Sequence, residues 1–340
     1  MNKIMFLICI LISFMAGAEG NLWQNYLDEI SGQKIQENCK PRKYEAKGEV
    51  IGSVLMYHGF TACPQQYFEL AEELSNKGFN VYLPLLPGHG EEWDEGSESP
   101  HQNLPTYENI NEVNNKLINK MSNIMKSETG LRILVGLSAG GALAQYSLTQ
   151  TPNLYHRALI IAPFLRTSRE KEWHKPYERL YPELADILGR FPCIRGFACT
   201  RNLLTGWGEA CEGIERDGGR AGTCHFKPSN VAGLQRFGST LKKKYRSLKR
   251  GEISTMIQIV GVEKDKAVSN SEIRWLNKLM VKKDLNISEC FYPYPANHSL
   301  LSKFDSPNED KFWIEDVYTK TIKFISNGES FPKERCMKRD

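Results

Sequence analysis

Gly136-Leu137-Ser138-Ala139-Gly140-Gly141 sets a serine among small residues, the G-x-S-x-G spacing of a hydroxyl carried on a sharp turn. A serine hydroxyl is a weak nucleophile until a base takes its proton. A histidine, and an acid to orient it, must therefore be found elsewhere in the chain. In this chemistry they follow in the order serine, acid, histidine. Asp265, in Gly261-Val262-Glu263-Lys264-Asp265, and His298, in Ala296-Asn297-His298-Ser299, fit that order. Glu263 is a rival acid. A tetrahedral oxyanion also needs two fixed donors. The backbone N–H of Ala139, just past the serine, is one candidate. The N–H of Phe60 in His58-Gly59-Phe60-Thr61 is the other, with Gly59 letting the backbone turn over the site.

These residues do chemistry only if strands and helices bring them together. Val50 to Tyr57 is an apolar, β-branched run that stops at His58-Gly59, as a buried strand would. Gln65 to Lys77 has helical spacing and closes at Gly78. Phe79 to Leu83 reads as a strand and Thr106 to Lys126 as a long helix. Leu131 to Val135, Arg157 to Ile161, Thr255 to Val260 and Glu289 to Tyr294 read as further strands. Ala142 to Tyr146, Ser271 to Leu285 and Phe312 to Ile325 read as helices. Strands alternating with helices predict an α/β fold, a mostly parallel sheet with helices on both faces. Asp265 and His298 then each follow a strand's carboxyl end, where open parallel sheets place their sites. His58 and His89 read as imidazoles that pin loops. His101, His156, His174 and His225 lack a matching strand end.

His58-Gly59-Phe60-Thr61, the run from Val81 to Gly90 and Gly136 to Gly141 resemble signatures of the α/β-hydrolase superfamily. The likeness is to its carboxylesterase and monoacylglycerol lipase group, over about 50–162 and 254–326. The resemblance implies a serine hydrolase acting on carboxylic esters, with short or medium acyl chains or monoacylglycerol-like lipids. The same triad could serve an acyltransferase or a peptidase, and a fourth reading is a hydrolase fold kept only for binding. The triad chemistry requires no metal or organic cofactor. The resemblance also implies a cap, here an insertion at about 163–252. That interval holds Cys193, Cys199, Cys211 and Cys224, so a disulfide within it is expected. Cys63 stands where the group commonly has a small residue, which points to a disulfide beside the oxyanion loop.

Composition bounds the remaining readings. Among 340 residues, 41% hydrophobic and 25% charged are globular values, and they exclude collagen and coiled coil. A net charge of +4 is too small to argue for nucleic acid, and a mean hydropathy of −0.45 excludes a polytopic membrane protein. Lys3, the apolar run Ile4 to Phe14 and Ala16-Gly17-Ala18 have the form of a cleaved signal peptide over 1–18. A secreted or periplasmic location follows, with an α/β-hydrolase domain over 19–340. Eight cysteines remain after cleavage, an even count that suits an oxidising compartment but permits 105 pairings. The expected partners are small-molecule or lipid esters, with transient contact to a lipid surface. Leu241 to Arg250 is strongly basic and reads as a solvated helix face or as a patch for anions or membrane. Asn286-Ile287-Ser288 and Asn297-His298-Ser299 fit the glycosylation pattern, and Asn297 is expected to be unmodified because His298 must reach Ser138.

Overall fold

The computed structural model describes residues 21–92, 103–168, 205–206, 221–223, 225–294, 296–302 and 313–337. The expected signal peptide and most of the expected cap, with Cys193, Cys199, Cys211 and Cys224, lie outside them, as do His101 and His174. The chain divides into two units, residues 1–34 and 35–340. The first carries α1 (Leu22–Ile30), capped by Asn21, whose Oδ1 accepts the Trp23 and Gln24 amides at 3.2 and 3.3 Å.

The second unit is built on an eight-stranded sheet. Its strands are β1 (Arg42–Tyr44), β2 (Gly52–Tyr57), β3 (Phe79–Leu83), β4 (Leu131–Leu137) and β5 (Arg157–Ile161). A separate two-stranded ladder of β6 (Thr205–Gly206) and β7 (His225–Phe226) follows in sequence. The large sheet resumes with β8 (Met256–Val262), β9 (Ile287–Tyr292) and β10 (Glu334–Arg335). The order is β1-β3-β2-β4-β5-β8-β9-β10, and only β1 runs antiparallel to its neighbour. Every residue of β2 is buried, as expected of a strand covered on both faces.

The helices are α2 (Phe68–Asn76), α3 (Ile110–Ser127), α4 (Ala139–Gln150), α5 (Pro228–Ser247), α6 (Asn270–Lys282) and α7 (Ile314–Asn327). Two begin later than their periodicity suggests. Residues Pro64–Tyr67 form a 3-10 turn before α2. Ahead of α3 the Asn109 side chain accepts the Thr106 amide at 2.8 Å, holding a local turn. The interval read as an insertion ends in α5, which lies against α4. Phe237 meets the Tyr146 ring at 5.1 Å, and the buried Tyr245 donates to the Gln145 carbonyl at 3.3 Å.

The register aligns the carboxyl ends of the central strands: Leu137 pairs with Ile161, Ile161 with Val260, and Val262 with Tyr292. The loops that follow these strands therefore emerge along one edge of the sheet.

At the other edge, Glu128 gathers three donors. Ser53 Oγ, Tyr82 Oη and Asn80 Nδ2 reach its carboxylate at 2.5, 2.7 and 3.0 Å. Burial by itself would raise the Glu128 pKa, but these hydrogen bonds outweigh it and hold the group below its ordinary value. A depressed folded-state pKa stabilises above the unfolded value, and that contribution is lost as pH falls through the folded one. Glu128→Gln is expected to destabilise the fold at neutral pH by about 2 kcal/mol. The loss should shrink at acid pH, as measured by urea unfolding at the two pH values.

Candidate active site

Ser138 sits between β4 and α4 with φ 56° and ψ −117°, a backbone conformation that costs a non-glycine residue about 1–3 kcal/mol. Its surroundings over-determine the turn. The Ser138 amide donates to the Ile161 carbonyl at 2.9 Å, and its own carbonyl accepts the Ala142 and Phe164 amides at 3.1 and 2.9 Å. Gly140 has to be glycine, because a Cβ there would lie 2.0 Å from the Tyr57 carbonyl oxygen. The residue is buried, 6% exposed. As the first residue of α4, Ala139 presents its N–H at the positive end of the helix.

Asp265 and His298 meet beyond β8 and β9. His298 Nδ1 lies 2.7 Å from Asp265 Oδ2, and Asp265 is 2% exposed. The other carboxylate oxygen, Oδ1, accepts the Ala267 and Val268 amides at 2.7 and 3.0 Å, which fixes the plane of the carboxylate. Glu263 stays half-buried, with its amide on the Tyr292 carbonyl at 2.8 Å, and His298 turns to Asp265 rather than to it. Residues 162–168 link the Asp265 loop to the Ser138 turn. Phe164 holds the Ser138 carbonyl, while Ser168 donates its hydroxyl to the Asp265 carbonyl at 2.7 Å and its amide to that of Ala267 at 3.1 Å.

Loop 58–63 lies over the serine. A Cβ on Gly59 would come within 3.6 Å of the Ser138 Cβ, which measures how closely the loop approaches. His58 behaves as a structural imidazole. Its Nε2 accepts the Leu86 amide at 3.0 Å, so Nδ1 carries the proton toward the Gly59 carbonyl at 2.9 Å. His89 stacks edge-on against His58 and Phe60 at 5.3 and 5.8 Å. His156 accepts the Arg132 amide at 3.0 Å, at the opposite edge of the sheet.

Several supports were not legible as such in the sequence. Gln66 accepts the Gly59 amide at 2.9 Å, and Gln65 accepts that of Ala221 at 2.6 Å. Thr61, at φ 63°, is a strained β-branched residue, and its carbonyl accepts the Thr223 amide at 2.8 Å. Gly222 passes so close that a Cβ would lie 2.3 Å from the Thr61 carbonyl oxygen. Phe226 packs edge-on against Phe60 at 5.4 Å. The adjacent pair Gln65-Gln66, polar within an amphipathic run, is the one sequence signal that could have flagged this frame.

Cys63, at the end of the loop, is joined to Cys39, with Cα atoms 5.1 Å apart. Cys290 is joined to Cys336. The Cys39–Cys63 bond spans 24 residues, and loop-closure entropy assigns such a link about 3 kcal/mol. Replacing both cysteines with serine is expected to lower stability by that order in chemical unfolding. Turnover should fall with it as the loop above Ser138 loosens. Among the described residues no cluster of His, Cys, Asp or Glu could hold a metal ion, and no helix is long and apolar enough to cross a membrane.

A mostly parallel eight-stranded sheet flanked by helices, with a serine on the strained turn after a central strand, defines an α/β-hydrolase. The chain belongs to the serine aminopeptidase S33 family of hydrolases, whose model matches residues 48–292. Solved structures agree on the fold. The soluble variant of monoglyceride lipase from Saccharomyces cerevisiae, in complex with a substrate analogue, superposes with a TM-score of 0.60 at 15% identity, covering 84% of this chain and 90% of that one. The monoacylglycerol lipase of Paleococcus ferrophilus gives 0.57 at 18% identity, covering 84% and 97%. A structure from the work on LipS and LipT, metagenome-derived lipolytic enzymes, gives 0.56 at 16%, covering 86% and 99%. No curated protein matches the chain.

Proposed function

We propose that this hydrolase cleaves carboxylic esters, with short or medium acyl chains or of monoacylglycerol type, using Ser138 as nucleophile, His298 as base and Asp265 as its orienter. The 2.7 Å bond between His298 Nδ1 and Asp265 carries the reading, since it leaves the far ring nitrogen as the one that would serve the serine. Ser138 Oγ attacks the ester carbonyl as His298 takes its proton. The oxyanion is held by the Phe60 and Ala139 amides. Among the described residues no backbone hydrogen bond uses the Phe60 N–H. His298 then protonates the departing alcohol, and water, deprotonated by the same imidazole, releases the acid. Phe60 and Phe226 give the loop an apolar flank that suits an acyl chain, and lipases among the structural neighbours support the same substrate class.

The test is labelling by a serine-directed fluorophosphonate, followed by rates on esters of increasing acyl length. No labelling of the folded protein, or equal labelling of Ser138→Ala, overturns the assignment. The family's aminopeptidase description favours a second reading, peptide cleavage, which aminoacyl anilides test in parallel. Turnover of these above the esters would select it. Export through a signal peptide at 1–18 is part of the same proposal. Amino-terminal sequencing of secreted protein would check it, an intact Met1 overturning it.

A further inference from the structure

The basic run after Leu241 lies on the last turns of α5 and the loop beyond, directly beside α6. Lys242 Nζ meets Glu272 at 2.8 Å, the Arg246 guanidinium lies 4.8 Å from the Trp275 ring centre, and Lys283 donates to the Arg246 carbonyl at 2.8 Å. Residues 242–252 and 270–284 together hold ten basic and three acidic side chains, in a chain whose whole net charge is +4. The rest of the protein is therefore net acidic, and the positive charge is concentrated on this one face. The three acids are engaged within it: Glu272 with Lys242, Asp284 with Arg250 at 2.6 Å, and Glu252 with the Lys249 amide at 2.6 Å. Among the described residues none of Lys243, Lys278 and Lys282 holds an ion pair, and all three are exposed.

The apolar content of the face is as informative as its charge. At 100° per residue, the exposed positions Arg274, Trp275, Lys278, Val281 and Lys282 fall within one arc of α6. Trp275 is 37% and Val281 60% exposed, among the most exposed large hydrophobic side chains described. Cations interleaved with a tryptophan and an aliphatic side chain on a helix's solvent arc match a bilayer interface. Basic groups there meet anionic headgroups while the ring and the valine enter the acyl boundary. A nucleic acid would use the charges and leave Val281 in water.

We propose that the α5–α6 face docks the protein on bilayers containing anionic phospholipid. α6 runs from Ser269, just past the Asp265 loop, down to the edge that feeds β9, so it lies along a flank of the sheet. Docking on that flank leaves the catalytic edge at the rim of the contact rather than beneath it. The inference does not depend on ester cleavage, and its readout is binding.

The experiment is co-sedimentation with vesicles of phosphatidylcholine alone and of phosphatidylcholine and phosphatidylglycerol in equal amounts. Binding is expected to the mixed vesicles only and should fall with added salt. Each surface cation contributes about fivefold, so Lys243→Gln, Lys278→Gln and Lys282→Gln together should weaken binding about a hundredfold. Their thermal unfolding and fluorophosphonate labelling should stay unchanged. Should the triple variant fail to fold, Lys282→Gln alone should weaken binding about fivefold. Glu72→Gln with Glu73→Gln, on α2, should leave binding unaltered. Equal binding to both vesicle types, binding untouched by the lysine substitutions, or capture of duplex DNA without vesicle binding overturns the proposal.

Discussion

Ser138→Ala is expected to remove ester turnover by about a millionfold, the scale on which a serine hydrolase loses kcat with its nucleophile. Alanine has no atom that can form the acyl-enzyme, so what survives is the contribution of bound substrate and oxyanion donors. The fold should tolerate the change. The turn at φ 56° is held by backbone bonds from Ser138 to Ile161, Ala142 and Phe164, none of which involves the hydroxyl. Ser138→Gly should be equally inactive yet more stable by about 1 kcal/mol, because glycine adopts this conformation without strain. Burst kinetics and chemical unfolding measure the two effects. A Ser138→Ala enzyme retaining more than about a thousandth of the wild-type rate would assign another nucleophile.

The second large effect is expected from Asp265→Asn, a drop in kcat of about ten thousandfold with stability nearly intact. The geometry dictates which way the amide must sit. Two backbone N–H groups, of Ala267 and Val268, point at one carboxylate oxygen, so the carboxamide keeps its oxygen there. Its NH2 then faces His298 Nδ1. That nitrogen must become an acceptor, which moves the ring proton to the nitrogen meant to serve Ser138 as base. The rate of fluorophosphonate labelling should fall with kcat, while thermal unfolding barely shifts. A loss of less than about tenfold would mean that Asp265 does not set the imidazole tautomer.

The parts of the fold that the sequence made legible are those buried on both sides. β3 and β5 match their predicted limits because their apolar runs are closed by Pro84 and by the Ala162 turn. Ser138, Asp265 and His298 could be singled out because strand ends mark where a parallel sheet exposes its loops. The edge strands β1 and β10 were not, since three and two residues of mixed polarity carry no period. The later starts of α2 and α3 came from local turns that compete with helix, and periodicity does not register them. The frame around loop 58–63 rests on Gln66, Gln65 and Thr223. Their contacts span from a few residues to more than a hundred along the chain, and the polar pair Gln65-Gln66 is their only local trace. The cysteine count said that links exist, but the choice among pairings belongs to the folded geometry.

Each of the two described disulfides has one end inside the stretch that the family model recognises, residues 48–292, and the other outside it. Cys63 and Cys290 lie within; Cys39 and Cys336 lie in the flanks. A recombinant fragment cut to the family's limits would carry two orphaned thiols. One of them would sit at the end of the loop over Ser138 and the other on β9, in a fragment that ends before His298. It would also lose Gln36, whose side chain exchanges hydrogen bonds with Gly222 at 3.0 and 3.2 Å and so helps seat the segment that braces Thr61. The flanks are thus working parts of the catalytic unit, and the smallest fragment fit for assay runs from before Gln36 to beyond Cys336.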